Sequence, residues 1–443
     1  MTLDHRSATE TEVLARAQSL VGRRVDELGE WTRAGPADVD RAHLDGVIES
    51  YFGISHKDDS TVTFPTAELD LRVVPLVGSG SKVRVKTRTF ITNVDYERIV
   101  QETWETASVR AHLAILFVFC RPLPDPEARV VAVDIFRPDD RLDALLRADW
   151  EWIRNVVERG QAHLLSDNDG RLLTPAAQTA ILRGQSQPTI DAHAKARIFA
   201  LKPSFVLECY RRAAGRVPTT ESLILNLRMS RVDSFEAQLV DRFRPFVGMP
   251  VAQAGAVVGI SPSQGKAYAA TVVRRIFGAR GSRSRIAEFE EMGLTLRMTR
   301  VSPDLQPYEA LSFPAFRYND LLGETWEESD LLRRVQYMLF VPVVGKNKDT
   351  PQGSCTLELP LFWRPSTTQL DLIHAEWERF RVEIETGLAD RLTPASATHA
   401  IHVRPHARDA QDTDDAPNLG PVVKKSFWLN QTFVQGILRR RGI

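Results

Sequence analysis

Apolar and polar positions change period several times along the chain, and the changes come twice in the same order. Apolar residues recur every three to four positions over Glu12–Leu20 and again over Ser234–Phe243, which predicts an amphipathic helix. Small and apolar residues at the same spacing over Asp40–Phe52 and Ser263–Phe277 predict a second helix. Alternation then takes over. Glu68–Val74 (E-L-D-L-R-V-V) predicts a half-buried strand ending at Pro75, and Val83–Ile91 predicts another. In that second strand, period two places Lys82, Arg84, Lys86 and Arg88 on one face. Leu113–Cys120 and Val335–Val343 are apolar runs too short to span a bilayer, and are expected as buried strands. Asp149–Arg159 and Ala375–Gly387 predict helices with an acid and a tryptophan near their starts. Mixed strands with flanking helices give an α/β (α+β) class.

The repetition extends to single residues. The tetrapeptide E-T-W-E stands at Glu102–Glu105 and at Glu324–Glu327. Gly22 pairs with Gly248, Trp104 with Trp326, Trp150 with Trp377, Phe199 with Phe427 and Phe205 with Phe433, at separations of 222 to 228 residues. That period is far too long for a solenoid unit and indicates a duplicated domain. The expected division is a first copy at 1–212, a linker at 213–221 carrying Gly215 and Pro218, and a second copy at 222–443. The recurring tryptophans and phenylalanines are expected in the two cores.

Composition narrows the function classes. The 57 basic and 57 acidic side chains balance, so any nucleic-acid contact must come from local patches. Three scattered cysteines without C-x-x-C spacing argue against a disulfide framework and for a reducing, cytoplasmic setting. No membrane span and no signal-peptide core are predicted. No P-loop or Rossmann glycine pattern occurs, so no nucleotide cofactor is expected, and Val77–Lys82 reads as a hairpin tip. The Asp-rich stretch Arg408–Pro417 is expected as a mobile loop. His399, His402 and His406 are expected on a strand, since Pro405 breaks the helix that would bring two of them together on a metal.

Metal-dependent phosphodiester hydrolysis makes definite demands on side chains. Two or more carboxylates hold a divalent cation, and a cationic side chain two residues along the same strand face points at the scissile phosphate. Thr63–Pro75, T-F-P-T-A-E-L-D-L-R-V-V-P, resembles the D-F-x-x-L-G-V-E-L-K-x-x-P stretch of the MutH mismatch-repair endonuclease family. That family includes GATC-cutting type II restriction enzymes with two MutH-like halves. Further resemblances follow in order, most of them twice. Leu20–Leu28 and Phe246–Ala254 look like its L-A-G-x-x-L-x-E-L start. Arg41–Glu49 and Lys266–Arg274 look like its K-G-x-x-G-x-x-x-E helix. Val403–Ala407 looks like its late strand. Phe199–Phe205 and Phe427–Phe433 look like its DNA-contacting F-Y-L-K-K-x-F segment.

The resemblance implies two tandem restriction-endonuclease-like (PD-(D/E)XK) domains, each a mixed central sheet flanked by helices. It also implies degenerate centres. The family's aspartate, glutamate and lysine become Thr63, Asp70 and Arg72 in the first copy, with Glu49 at the helix glutamate. In the second copy they become Glu288, Thr295 and Arg297, with Arg274 at the helix glutamate. Glu49 and Asp70, with Glu68 or Asp59 nearby, would hold Mg2+ weakly, and Arg72 cannot serve as a base. The alternative is that Asp70 and Arg72 form an ion pair on an exposed strand.

Candidate DNA contacts are Lys82, Arg84, Lys86 and Arg88; the loop residues Arg280, Arg283 and Arg285; Lys266; and Arg197, Lys202, Lys424 and Lys425 in the segments that resemble the family's DNA-facing ones. Three functions follow as expectations: a double-stranded DNA-binding protein with lost nuclease centres in a bacterial restriction setting, an active Mg2+-dependent endonuclease working from the first copy, or a partner subunit of another nuclease in a restriction system.

Overall fold

The computed structural model describes residues 4–28, 41–54, 62–78, 83–121, 128–177, 184–186, 188, 193–216, 220–221, 234–263, 265, 267–279 and 285–440. The chain divides into two compact units, Met1–Ser234 with Glu290–Met292, and Phe235–Phe289 with Gly293–Ile443. Of the linker expected at 213–221, residues 217–219 lie outside the described residues.

The first unit opens with α1 (Glu10–Gln18) and α2 (Arg41–Tyr51). Thr9 and Glu12 form a reciprocal capping box that satisfies backbone N–H groups at the start of α1. Next come β1 (Asp70–Val77), β2 (Arg84–Val85), β3 (Thr89–Val94), β4 (Ile115–Cys120) and β5 (Val130–Phe136). The order across the sheet is β2-β1-β4-β5, with β1 and β4 parallel and the outer pairs antiparallel. A parallel pair at the centre of a sheet is covered on both faces, which is why Asp70–Val77 and Ile115–Cys120 are buried almost throughout. The first strand runs past Pro75 to Val77 instead of stopping there. The single strand expected over Val83–Ile91 is two, β2 and β3, which belong to different sheets. The long α3 (Asp140–Glu158) follows, then β6 (Leu173–Ala177), β7 (Arg197–Leu201) and α4 (Pro203–Ala213). A second, antiparallel sheet has the order β3-β7-β6. Leu44, Val47 and Ile48 of α2 pack with Leu71 and Val73 of β1.

The second unit repeats the plan. α5 (Ser234–Phe243), α6 (Val251–Val257) and α7 (Tyr268–Ile276) precede β8 (Thr295–Val301), β9 (Leu311–Ser312), β10 (Met338–Val344), β11 (Thr356–Leu357) and β12 (Leu361–Trp363). β8 and β10 are parallel, and β11 and β12 both pair antiparallel with β10. α8 (Thr367–Glu385) starts at a Ser366–Gln369 capping box. β13 (Ile401–Pro405), β14 (Thr413–Ala416), β15 (Gly420–Val423), β16 (Lys425–Leu429) and α9 (Gln431–Arg439) complete the unit, with a sheet of order β9-β16-β13. The Asp-rich stretch is therefore not a loose loop: β14 and β15 form a hairpin, and the Asp414 carboxylate accepts from the Tyr318 N–H at 3.0 Å.

Equivalent details recur in the two units. Gly22 and Gly248 both take positive φ, +86° and +79°, and each N–H donates 2.8 Å to a backbone carbonyl, of Val130 and Leu357. Trp104 packs on Trp150 with ring centres 5.9 Å apart, and Trp326 on Trp377 at 5.5 Å. Phe199, Phe205, Trp150 and Trp377 are fully buried, whereas Trp326 and Phe433 are half-buried. Among the described residues no helix is long and apolar enough to cross a membrane.

Candidate functional site

Asp70 opens β1, and the turn before it brings Thr63 back alongside through a bridge between Phe64 and Leu69. Glu68, exposed in that turn, adopts a left-handed φ of +50°. The Thr63 hydroxyl donates to Asp70 Oδ1 and accepts from the Leu71 N–H at 3.2 Å. Asp70 Oδ2 lies 2.7 Å from Arg72 Nη2 and 3.0 Å from His112 Nδ1. Arg72 also donates from Nε to Phe90 O at 2.7 Å, from Nη2 to Ile91 O at 2.7 Å and from Nη1 to Leu71 O at 2.9 Å. Asp70 is 1% exposed and Arg72 9%. The ion pair is thus formed, but on a buried strand and not an exposed one. Desolvating two charges is offset only when their remaining donors and acceptors are used, and here the carboxylate and the guanidinium both are.

Glu49 is half-buried on α2. That helix covers the face of β1 carrying Leu71 and Val73, and strand alternation places Asp70 and Arg72 on the other face. Asp59 lies outside the described residues. Among the described residues no three His, Cys, Asp or Glu side chains are grouped to hold a metal ion.

In the second copy Glu288 is fully buried, and Thr295 stands where Asp70 stands in the first. The guanidinium of Arg297 lies over the Phe313 ring, 5.2 Å from its centre. Burial, with Arg334 nearby, pushes its pKa down to about 10.

The basic residues are placed differently from expectation. Arg84 is on β2, Lys86 follows it and Arg88 precedes β3, so they do not form one row on one strand. Arg88 donates to the Asp167 carbonyl at 3.0 Å, and the Asp167 carboxylate accepts from Arg197 at 2.6 Å. Arg197 also donates to the carbonyls of Leu165 and Pro175. Lys202 is buried with Nζ 2.7 Å from Gly170 O, and Lys425 is buried with Nζ 2.6 Å from Ala389 O. Lys424 is paired with Asp412. Arg197, Lys202 and Lys425 therefore hold loops together, and their charges do not face solvent. Arg285 and Lys86 are exposed. Lys82, Lys266, Arg280 and Arg283 lie outside the described residues.

Two features escaped the sequence reading. Asp149 and Glu376 sit mid-helix, because α3 and α8 start well before the expected positions, and both are buried. The Asp149 carboxylate accepts the N–H groups of Arg171, Leu172 and Leu173 at 2.7 to 3.0 Å. Glu376 accepts those of His399, Ala400 and Ile401 at 2.6 to 3.0 Å. Each acid thus fixes the entry to the late strand of its unit. The second feature is on β13 and β16, where His402 pairs with Trp428 across the sheet. Exposed Arg404 lies over the Trp428 ring at 5.3 Å and His406 packs beside it at 5.6 Å. His402 is on a strand, as expected, but buried, with Nδ1 bonded to Asn430 Oδ1. The first copy has buried Ala200 where the second has Trp428, and Ala176 where it has Arg404.

A family model described as the DNA mismatch repair enzyme MutH matches residues 52–149 and 277–376, one segment in each unit and each including the altered triplet. Both units are thus similar to the MutH family. It is similar along 96% of its length to the type II restriction enzyme Sau3AI of Staphylococcus aureus, at 22% identity over 93% of that protein. It is also similar to the DNA mismatch repair protein MutH of Shewanella baltica, 24% identical over 46% of this chain and 94% of that protein. MutH of Vibrio vulnificus is 26% identical over 48% of this chain and 96% of its own. MutH-like character in two regions fits the repeated plan of the two units.

Proposed function

We propose that this protein, MutH-like in both units, binds double-stranded DNA through restriction-endonuclease-like (PD-(D/E)XK) halves whose nuclease centres are degenerate. The observation that carries the reading is the buried Asp70–Arg72 pair. The only acid kept on β1 at the family's triplet is neutralised by the residue that replaces the family's lysine. A Mg2+ ion at Glu49 and Asp70 fits this arrangement poorly. Asp70 already has Arg72, Thr63 and His112 as partners, and α2 covers the opposite face of the strand. Recognition of a duplex needs no metal, and a half-buried tryptophan beneath an exposed arginine suits contact with bases and phosphates.

A second reading is favoured by the end-to-end similarity to a type II restriction enzyme: a Mg2+-dependent endonuclease working from the first copy. One assay separates the two. Duplexes containing GATC, unmethylated and methylated, are incubated with and without Mg2+, and binding and cleavage are read from the same samples. Binding without cleavage supports the proposal. Mg2+-dependent cleavage that disappears in Asp70→Asn overturns it in favour of the enzyme. No binding to any duplex leaves the partner-subunit function.

A further inference from the structure

Arg297 stands on β8 in the register that Arg72 has on β1: Arg72 is opposite Phe117 of the neighbouring parallel strand, and Arg297 is opposite Phe340. Their surroundings differ. Arg72 is satisfied by Asp70 and three backbone carbonyls. Among the described residues Arg297 makes no hydrogen bond or ion pair, and its buried Nε has no partner. The repeat position that supplies the carboxylate in the first copy is Thr295 here. The next cation, Arg334, is already paired with Asp330 at 2.5 Å.

A cation held partly out of water without a counter-ion is costly to the fold, and an aromatic face recovers only part of that cost. The depressed pKa of Arg297 reports the same desolvation. The complement of such a guanidinium is an oxyanion that can accept two parallel N–H bonds, a geometry that phosphate supplies.

We propose that the second copy's altered centre is an oxyanion site anchored by Arg297, with a phosphodiester of bound duplex as its occupant. The site stands on the geometry of Arg297; the identity of the occupant rests on the duplex-DNA reading above.

The test uses the full chain. Thermal unfolding is followed in potassium phosphate and in potassium chloride at matched ionic strength. The expected result is a Tm rise specific to phosphate, lost in Arg297→Met and partly kept in Arg297→Lys. Arg297→Met should also melt higher than wild type in chloride, because it removes an uncompensated charge. That rise would show that the variant folds and that Arg297 is no structural tie. In the second arm, duplex affinity is measured against salt. Loss of one phosphate contact should reduce the slope of log K against log salt by about 0.9. Absence of a phosphate-specific rise in wild type, or an equal rise in Arg297→Met, overturns the site. A lost phosphate rise with an unchanged duplex slope overturns the phosphodiester as occupant in favour of a free anion. Failure of wild type to bind duplex at all, with the phosphate rise intact, keeps the site and sinks the DNA reading instead.

Discussion

Asp149 and Glu376 occupy the same place in the repeat and close the same turn, although one side chain is a methylene longer. Each carboxylate gathers three successive backbone N–H groups. Replacing either by its amide swaps one accepting oxygen for donors that face other donors. Asp149→Asn and Glu376→Gln should each lower unfolding free energy by about 3 kcal/mol, from lost charge-assisted bonds and stranded N–H groups. Urea titration would measure it, and a loss below about 1 kcal/mol would falsify this account of the turn.

The Asp70–Arg72 pair predicts strong coupling. Removing one partner leaves the other charge buried, so Asp70→Asn or Arg72→Met alone should cost about 3–5 kcal/mol. The joint Asp70→Asn, Arg72→Met variant should cost much less than the sum. A double-mutant cycle measures this; simple additivity would rule the pair out as a unit.

His402 should make the second unit sensitive to mild acid. Burial lowers its pKa below the ordinary 6.5, Asn430 and Glu376 oppose that shift, and Arg404 reinforces it. The folded protein therefore holds fewer protons on this residue than the unfolded chain. Its contribution to stability is present above about pH 6.5 and is lost as pH falls through the lowered folded value. Tm measured from pH 7.5 downward should fall, and His402→Gln should flatten part of that slope.

Trp428 with Arg404, and the buried lysines, form two groups with opposite signatures. Trp428→Ala and Arg404→Ala should weaken duplex binding by about 1–3 kcal/mol each with little change in Tm. Lys202→Met and Lys425→Met should lower Tm and leave the salt dependence of binding unchanged, because their ammonium groups serve backbone carbonyls. Loss of duplex affinity in well-folded Lys202→Met would overturn that division.

The duplication, the mixed sheets and the aromatic cores were readable in the order and period of apolar residues, since burial writes directly into that pattern. The triplet Thr63, Asp70 and Arg72 was readable through the resemblance to the MutH family, and alternation along a strand adds that Asp70 and Arg72 share a face. Long-range partners were not. Nothing local tells that Lys202 reaches Gly170 or that Asp167 serves both Arg88 and Arg197. A row of cations at alternate positions reads as one strand face until a break separates β2 from β3 and sends them to different sheets. His112 joined Asp70 across 42 residues with no motif to announce it. Asp149 and Glu376 did carry a signal, as acids recurring beside equivalent tryptophans.

The Thr63–Asp70–Arg72 arrangement also restricts how the first copy can change. An aspartate at position 63 would set two carboxylates together in a dry site beside one guanidinium. A lysine at position 72 would forfeit the fork that reaches Phe90, Ile91 and Leu71 at once. Each single step toward the family's triplet should pass through a weaker protein. That exchange is then open to a concerted change and closed to single substitutions, so electrostatics acts here as a lock on the triplet.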